Sequence, residues 1–73
     1  MRIEDGKLFL TEQELSYVRK ASVLQAGPGN AGLFLRSYVK NNNLVEDVEH
    51  MPDARFYTEC ILAYRRKNFE VVE

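Results

Sequence analysis

Gly27, Gly29 and Gly32 stand in the spacing G-x-G-x-x-G, inside the stretch AGPGNAGLF that runs from Ala26 to Phe34. Where a strand enters such a turn and a helix leaves it, the glycines let backbone N–H groups close on a pyrophosphate. The residues before Gly27 have the pattern of a capped amphipathic helix instead, and Pro28 removes one N–H that a phosphate needs. Asp53 lies about twenty residues past the glycines, where a ribose-binding acid would be sought. It follows Pro52, however, and has the character of a helix cap. The glycines are therefore expected to form an interhelical turn, with no cofactor.

Two further constellations could do chemistry. If Glu46, Asp47, Glu49 and His50 were helical, Glu46 and His50 would share a face at i, i+4, a spacing that suits a divalent cation. A structural zinc site needs a complete set of ligands, so Cys60 would have to join, and no C-x-x-C or H-x-x-x-H pair supports it. A solvated acidic loop with an exposed histidine is the expectation, and no metal. Cys60 and His50 could form a nucleophile–base pair. The helical neighbours of Cys60 are apolar, though, which makes it a core thiol. No catalytic residue is expected. A chain of 73 residues hides only about 60% of its unfolded surface, leaving one small core and no room for a deep substrate pocket. The chain is thus expected to be a single small domain over 1–73, not an enzyme, and without a small-molecule substrate.

The elements that carry these residues can be read locally. Asp5-Gly6 suits a two-residue hairpin turn, which would set Ile3 opposite Leu8 and Glu4 opposite Lys7 with opposite charge. Thr11 with Glu14 three residues later is a capping box, so a helix should begin at Glu12, with Leu10 and Leu15 placed as a hydrophobic staple. Its apolar stripe takes in Leu15, Tyr17, Val18, Ala21 and Leu24. Gly27, in the left-handed conformation, and Pro28 should stop it. Asn30 then caps a second helix over roughly 31–40, with Ala31, Phe34, Leu35 and Tyr38 on one face. Gly32 weakens that helix by close to 1 kcal/mol relative to Ala, which points to tight packing or a late start. Asn41–Asn43 end it. Asp53 caps a third helix, which Arg65, Arg66 and Lys67 close with the charge that suits a C-terminus. A strand over 55–64 is the competing reading on propensity, and the agreement of cap and cations favours the helix. Residues 68–73 are a last short strand or a frayed tail.

The fold class that follows is α+β: an N-terminal β-hairpin, two helices joined by the Gly/Pro turn in a helix-turn-helix-like arrangement, a third helix, and a short C-terminal tail or strand. Leu15, Val18, Leu24, Phe34, Leu35, Phe56, Cys60 and Tyr64 should be buried against one face of the hairpin.

Net charge is −1, but it is unevenly spread. Residues 1–40 hold six cations and four acids, a net +2, and residues 41–73 hold four cations and seven acids, a net −3. Such separation suits electrostatic docking on another macromolecule. The residues expected to bind a partner are Arg19, Lys20, Arg36 and Lys40 on the basic side, and Glu46, Asp47 and Glu49 on the acidic side. Tyr17, Tyr38, Tyr57 and Tyr64 could add anchors wherever a ring stays exposed beside a cation. Cys60 is the sole cysteine, which fits a reducing compartment. No apolar run approaches the roughly 20 residues of a membrane helix. No secretory leader is visible, so a cytoplasmic protein with no membrane partner is expected.

In length, in the order of hairpin then helices, in the opening MRIEDGKLFL and in the basic-to-acidic switch, the chain resembles small bacteriophage regulators that bind host bacterial RNA polymerase, of the kind made by Xanthomonas phage. The resemblance covers the whole chain. It implies a non-enzymatic transcription regulator that binds the largest polymerase subunit, displaces the promoter-recognition factor and suppresses termination. The alternative is a helix-turn-helix regulator that binds DNA directly, with Arg36, Ser37, Lys40 and Asn41 on the outer face of the second helix reading bases and Arg19 and Lys20 meeting phosphate.

Overall fold

Asp5 and Gly6 both adopt positive φ, 52° and 79°, as a tight hairpin turn requires. They join β1 (Arg2–Glu4) to β2 (Lys7–Leu10) in the expected register, Ile3 opposite Leu8 and Glu4 opposite Lys7. The charges pair differently from the register. Arg2 bonds Glu4 along its own strand at 3.2 Å, and Lys7 turns to Glu70 at 3.1 Å. The computed structural model describes residues 1–45 and 47–72. The expectations placed on Glu46 and Glu73 lie outside them.

Thr11 closes a complete capping box on α1 (Glu12–Leu24): its hydroxyl accepts from Glu14 N (3.2 Å), and Glu14 Oε1 accepts from Thr11 N (2.8 Å). The second carboxylate oxygen of Glu14 accepts from the α-amino group of Met1 at 2.7 Å. Those two bonds allow a carboxylate to sit buried at the sheet edge, where an unpaired charge would be costly.

The corner after α1 differs from the expectation. Gly27 is not a left-handed stop; its φ is −78° and it is the N-cap of α2 (Pro28–Asn41). Asn30 is not a cap, since it lies inside the first helical turn, which the bond from Ala31 N to Gly27 O closes at 2.9 Å. Proline explains the shift. Its ring presets helical φ, and at the first helical position its missing N–H is one that no helix would satisfy. α1 ends one residue earlier through an extended Gln25.

α2 closes in a Schellman turn, with Asn43 at φ 54° and Leu44 N bonded to Val39 O at 3.1 Å. A single 3-10 turn (Val48–His50) follows, capped by Asp47. Asp53 Oδ1 then accepts from Arg55 N (3.0 Å) and Phe56 N (3.4 Å) to start α3 (Ala54–Arg65), so 55–64 is helix and not strand. The chain finishes in β3 (Phe69–Val71), which is a paired strand and not a frayed tail. β3 runs parallel to β2, giving the order β1-β2-β3 with β2 in the centre and all three helices forming the crossover. Asn68 Nδ2 reaches back to Gly6 O (2.9 Å) and ties β3 to the hairpin turn. The result is the expected α+β domain. Among the described residues no helix is long and apolar enough to cross a membrane.

One core joins Leu8 and Leu10 of the sheet to Val18, Ala21, Ala31, Leu35, Val39, Tyr57, Cys60, Ile61 and Ala63. Of the residues expected there, Val18, Leu35 and Cys60 are buried, while Leu15, Phe56 and Tyr64 are half-buried. Leu24 and Phe34 are exposed, at 53% and 41%. The reason for Phe34 lies at Gly32. A Cβ on Gly32 would stand 2.7 Å from Thr58 N and 2.9 Å from Thr58 Cα. The inward face of α2 is therefore centred on the closest backbone approach to α3, on Gly32, Leu35 and Val39, and Phe34 lies about a third of a turn away from that centre.

This geometry separates two glycines of the same helix. Gly29 has open space where a Cβ would go, and Gly32 has the backbone of Thr58. By urea denaturation, Gly32→Ala should cost about 1–3 kcal/mol through overpacking against atoms that cannot rotate away, whereas Gly29→Ala should be neutral or slightly stabilising.

Candidate functional site

The last carbonyls of any helix need partners from outside it, and α1 has no basic residue in its final turn. Arg65, from the last position of α3, reaches one of them, Ser22 O, and the two carbonyls just past the helix, Gln25 O and Ala26 O. Its Nε donates to Ser22 Oγ (3.0 Å), Nη1 to Ala26 O (2.7 Å), and Nη2 to Ser22 O (3.0 Å) and Gln25 O (2.6 Å). One guanidinium thus staples the C-terminal end of α3 to that of α1, and the planar fork of arginine is what lets it meet several acceptors at once.

The staple builds a groove. Arg19 of α1 is brought beside Tyr64, Arg65, Lys67 and Phe69, and together they line an open depression of about 390 Å³. Its floor is aromatic, with the Tyr64 and Phe69 rings 5.4 Å apart at 33°. The lining contains three cations and no acid. α3 turns into β3 through a second Schellman motif: Lys67 N bonds Tyr64 O (3.0 Å) and Asn68 N bonds Ala63 O (2.9 Å), with Lys67 at φ 58°.

The residues expected from sequence to bind a partner are dispersed. Arg19 alone lies in this groove. Lys20 is exposed with Nζ 5.4 Å from the centre of the Tyr38 ring, a cation–π contact. Arg36 is half-buried and its Nε donates to the Pro52 carbonyl at 3.2 Å, so it links α2 to the segment before α3. Lys40 is exposed near the end of α2. Asp47 accepts from Glu49 N (3.1 Å) and pairs with His50 Nδ1, and the Glu49 side chain is exposed. Glu46 lies outside the described residues. Tyr64 is the one of the four tyrosines in this groove, beside cations as an anchor requires, while sequence carries no site signal for Phe69 and marks the cations 65–67 only as a helix C-terminus.

The three chemical constellations resolve as follows. The glycine fingerprint is entered by α1, a helix, and Gly32 serves helix packing rather than a phosphate. Among the described residues, no group of three or more His, Cys, Asp or Glu side chains could hold a metal. Cys60 is fully buried while His50 is exposed, so the two are not a reactive pair. Burial pushes the Cys60 thiol up to about 12; the α-amino group pulls the other way, and Glu14 and Glu59 add smaller upward contributions. Burial likewise raises the Tyr57 hydroxyl.

A second exposed surface runs along α2, where Leu33, Phe34, Ser37, Tyr38 and Asn41 line a shallow apolar depression of about 350 Å³. Compared with protein-family models, with curated proteins and with solved structures, the chain matches none.

Two outcomes follow from the site chemistry. Arg65→Lys keeps the charge but loses the fork, and should destabilise the fold by about 1–2 kcal/mol in urea, nearly as much as Arg65→Ala. Cys60 should resist a thiol reagent such as dithionitrobenzoate at pH 8 in the native protein and react at once in denaturant, because only a thiolate attacks and burial holds the proton on.

Proposed function

We propose that this chain is a non-enzymatic binding module that regulates transcription in the bacterial cytoplasm by docking on RNA polymerase, inhibiting initiation, suppressing termination, or both. The observation that carries the binding-module reading is the groove at the end of α3: a shallow, aromatic-floored surface with cations on its lining and no acid among them. Aromatic rings beside cations are the chemistry of a protein-docking anchor. The burial of Cys60, which keeps it a thiol, argues against nucleophilic catalysis. Polymerase as the partner is inferred from the likeness to small phage regulators in length, in the hairpin-then-helices order and in the separation of basic and acidic residues.

Direct DNA reading is the weaker proposal. The second helix would have to present Arg36 to bases, and that side chain is engaged with the Pro52 carbonyl. Size-exclusion chromatography with purified bacterial RNA polymerase should show co-elution, and a single-round transcription assay should show fewer promoter-directed transcripts or more read-through at a terminator. Failure to co-elute, combined with binding to random duplex DNA that weakens steeply with salt, would replace this reading with the DNA-binding one.

A further inference from the structure

We infer that the groove formed by Arg19, Tyr64, Arg65, Lys67 and Phe69 is a docking site for an acidic peptide segment of the protein partner, with an aromatic or apolar side chain of that segment seated on the Tyr64–Phe69 floor. The inference deepens the binding-module reading and rests on it for the existence of a protein partner. Three observations carry it.

First, the charge is uncompensated. Among the described residues the ion pairs are Met1–Glu14, Arg2–Glu4, Lys7–Glu70 and His50–Asp47. Arg19 and Lys67 take part in none of them, and Arg65 faces neutral carbonyls. A groove with cations on its lining and no acid selects a negatively charged occupant.

Second, Lys67 occupies a backbone position that stability alone would give to another residue. At the equivalent position of the α2 Schellman turn the chain has Asn43, and in the hairpin it has Asp5 and Gly6, residue types that tolerate positive φ. Among the described residues, Lys67 is the one with positive φ that is neither Gly, Asn nor Asp. Its conformation is costly and is held by the bonds of the turn, and strain of this kind concentrates where a side chain is needed for function.

Third, the shape suits a peptide better than a nucleic acid. A phosphate backbone asks for a continuous track of cations. Here the strand leading out of the groove carries exposed Glu70, already bound to Lys7, and the aromatic floor is bounded by α1 on one side. The space of about 390 Å³ accommodates a few side chains.

The test uses the full chain, isotope-labelled for amide NMR, and a blocked peptide of four glutamates around a central phenylalanine. Amide shifts should concentrate at Arg19 and residues 64–69. Lys67→Gly should melt at the same temperature or a few degrees higher while weakening the peptide about tenfold or more. Arg19→Ala should also weaken it, and Lys20→Ala, an equal charge change outside the groove, should leave it within twofold. Equal binding of the same peptide with lysines in place of glutamates would overturn the inference. So would unchanged affinity in Lys67→Gly, a marked drop in its melting temperature, or shifts centred elsewhere. Tighter occupation of the groove by a single-stranded oligothymidylate would overturn it in favour of nucleic acid. If the wild-type chain binds polymerase and Lys67→Gly binds it equally, the groove fails and the polymerase reading stands. If the acidic peptide binds as described and polymerase does not, the polymerase reading fails alone.

Discussion

A side chain on Gly32 would place its Cβ 2.7 Å from the backbone nitrogen of Thr58, so α2 and α3 cross at a separation that glycine alone permits. Most of the molecule depends on that crossing. It brings Leu35 and Val39 of α2 and Tyr57 and Ile61 of α3 into a common core. It also fixes the line along which α3 leaves the core. At the end of that line Arg65 comes within reach of carbonyls at and just past the end of α1, and Asn68 comes within reach of Gly6. A longer side chain at position 32 would push α3 outward and loosen both attachments. The helix-propensity cost of a mid-helix glycine is small beside what the close approach secures.

The staple at Arg65 does two things at once. It satisfies a helix end that has no basic residue of its own, and it draws Arg19 towards Tyr64, Lys67 and Phe69. The groove is therefore a by-product of completing the fold, yet its charge is not. Elsewhere on the sheet cations are matched: Arg2 with Glu4, Lys7 with Glu70. In the groove, among the described residues, Arg19 and Lys67 have no ion-pair partner, and Lys67 stands on a backbone position where lysine is disfavoured. The convergence of these cations on an aromatic hollow with no acid in its lining, and not the hollow as such, is what points to an outside partner.

The parts of this arrangement that sequence makes legible are those governed by neighbours a few residues apart. Asp5-Gly6, the Thr11–Glu14 box and the Asp53 cap all lie where their local chemistry puts them. Gly27-Pro28 is ambiguous locally, because the same two residues can end one helix or begin the next; which they do depends on whether Gly27 is held left-handed. Periodicity alone puts Phe34 inside, because it counts apolar residues and not the close approach at Gly32. The face of α2 is set instead by where another backbone can come closest. The parallel pairing of β3 with β2 spans the whole helical region and leaves no local trace. The groove joins Arg19 to Phe69 across fifty residues of sequence, so no local pattern could have assembled it.

In the proposed complex one end of the molecule, where α1, α3 and β3 meet, faces the partner, and the apolar strip of Leu33, Phe34 and Tyr38 on α2 does not. Hydrogen–deuterium exchange of the chain alone and in complex with purified RNA polymerase tests this directly. Slowed exchange over residues 17–20 and 62–70, with α2 unchanged, is the predicted result. Protection confined to residues 33–41, or no protection anywhere at saturating polymerase, would contradict it.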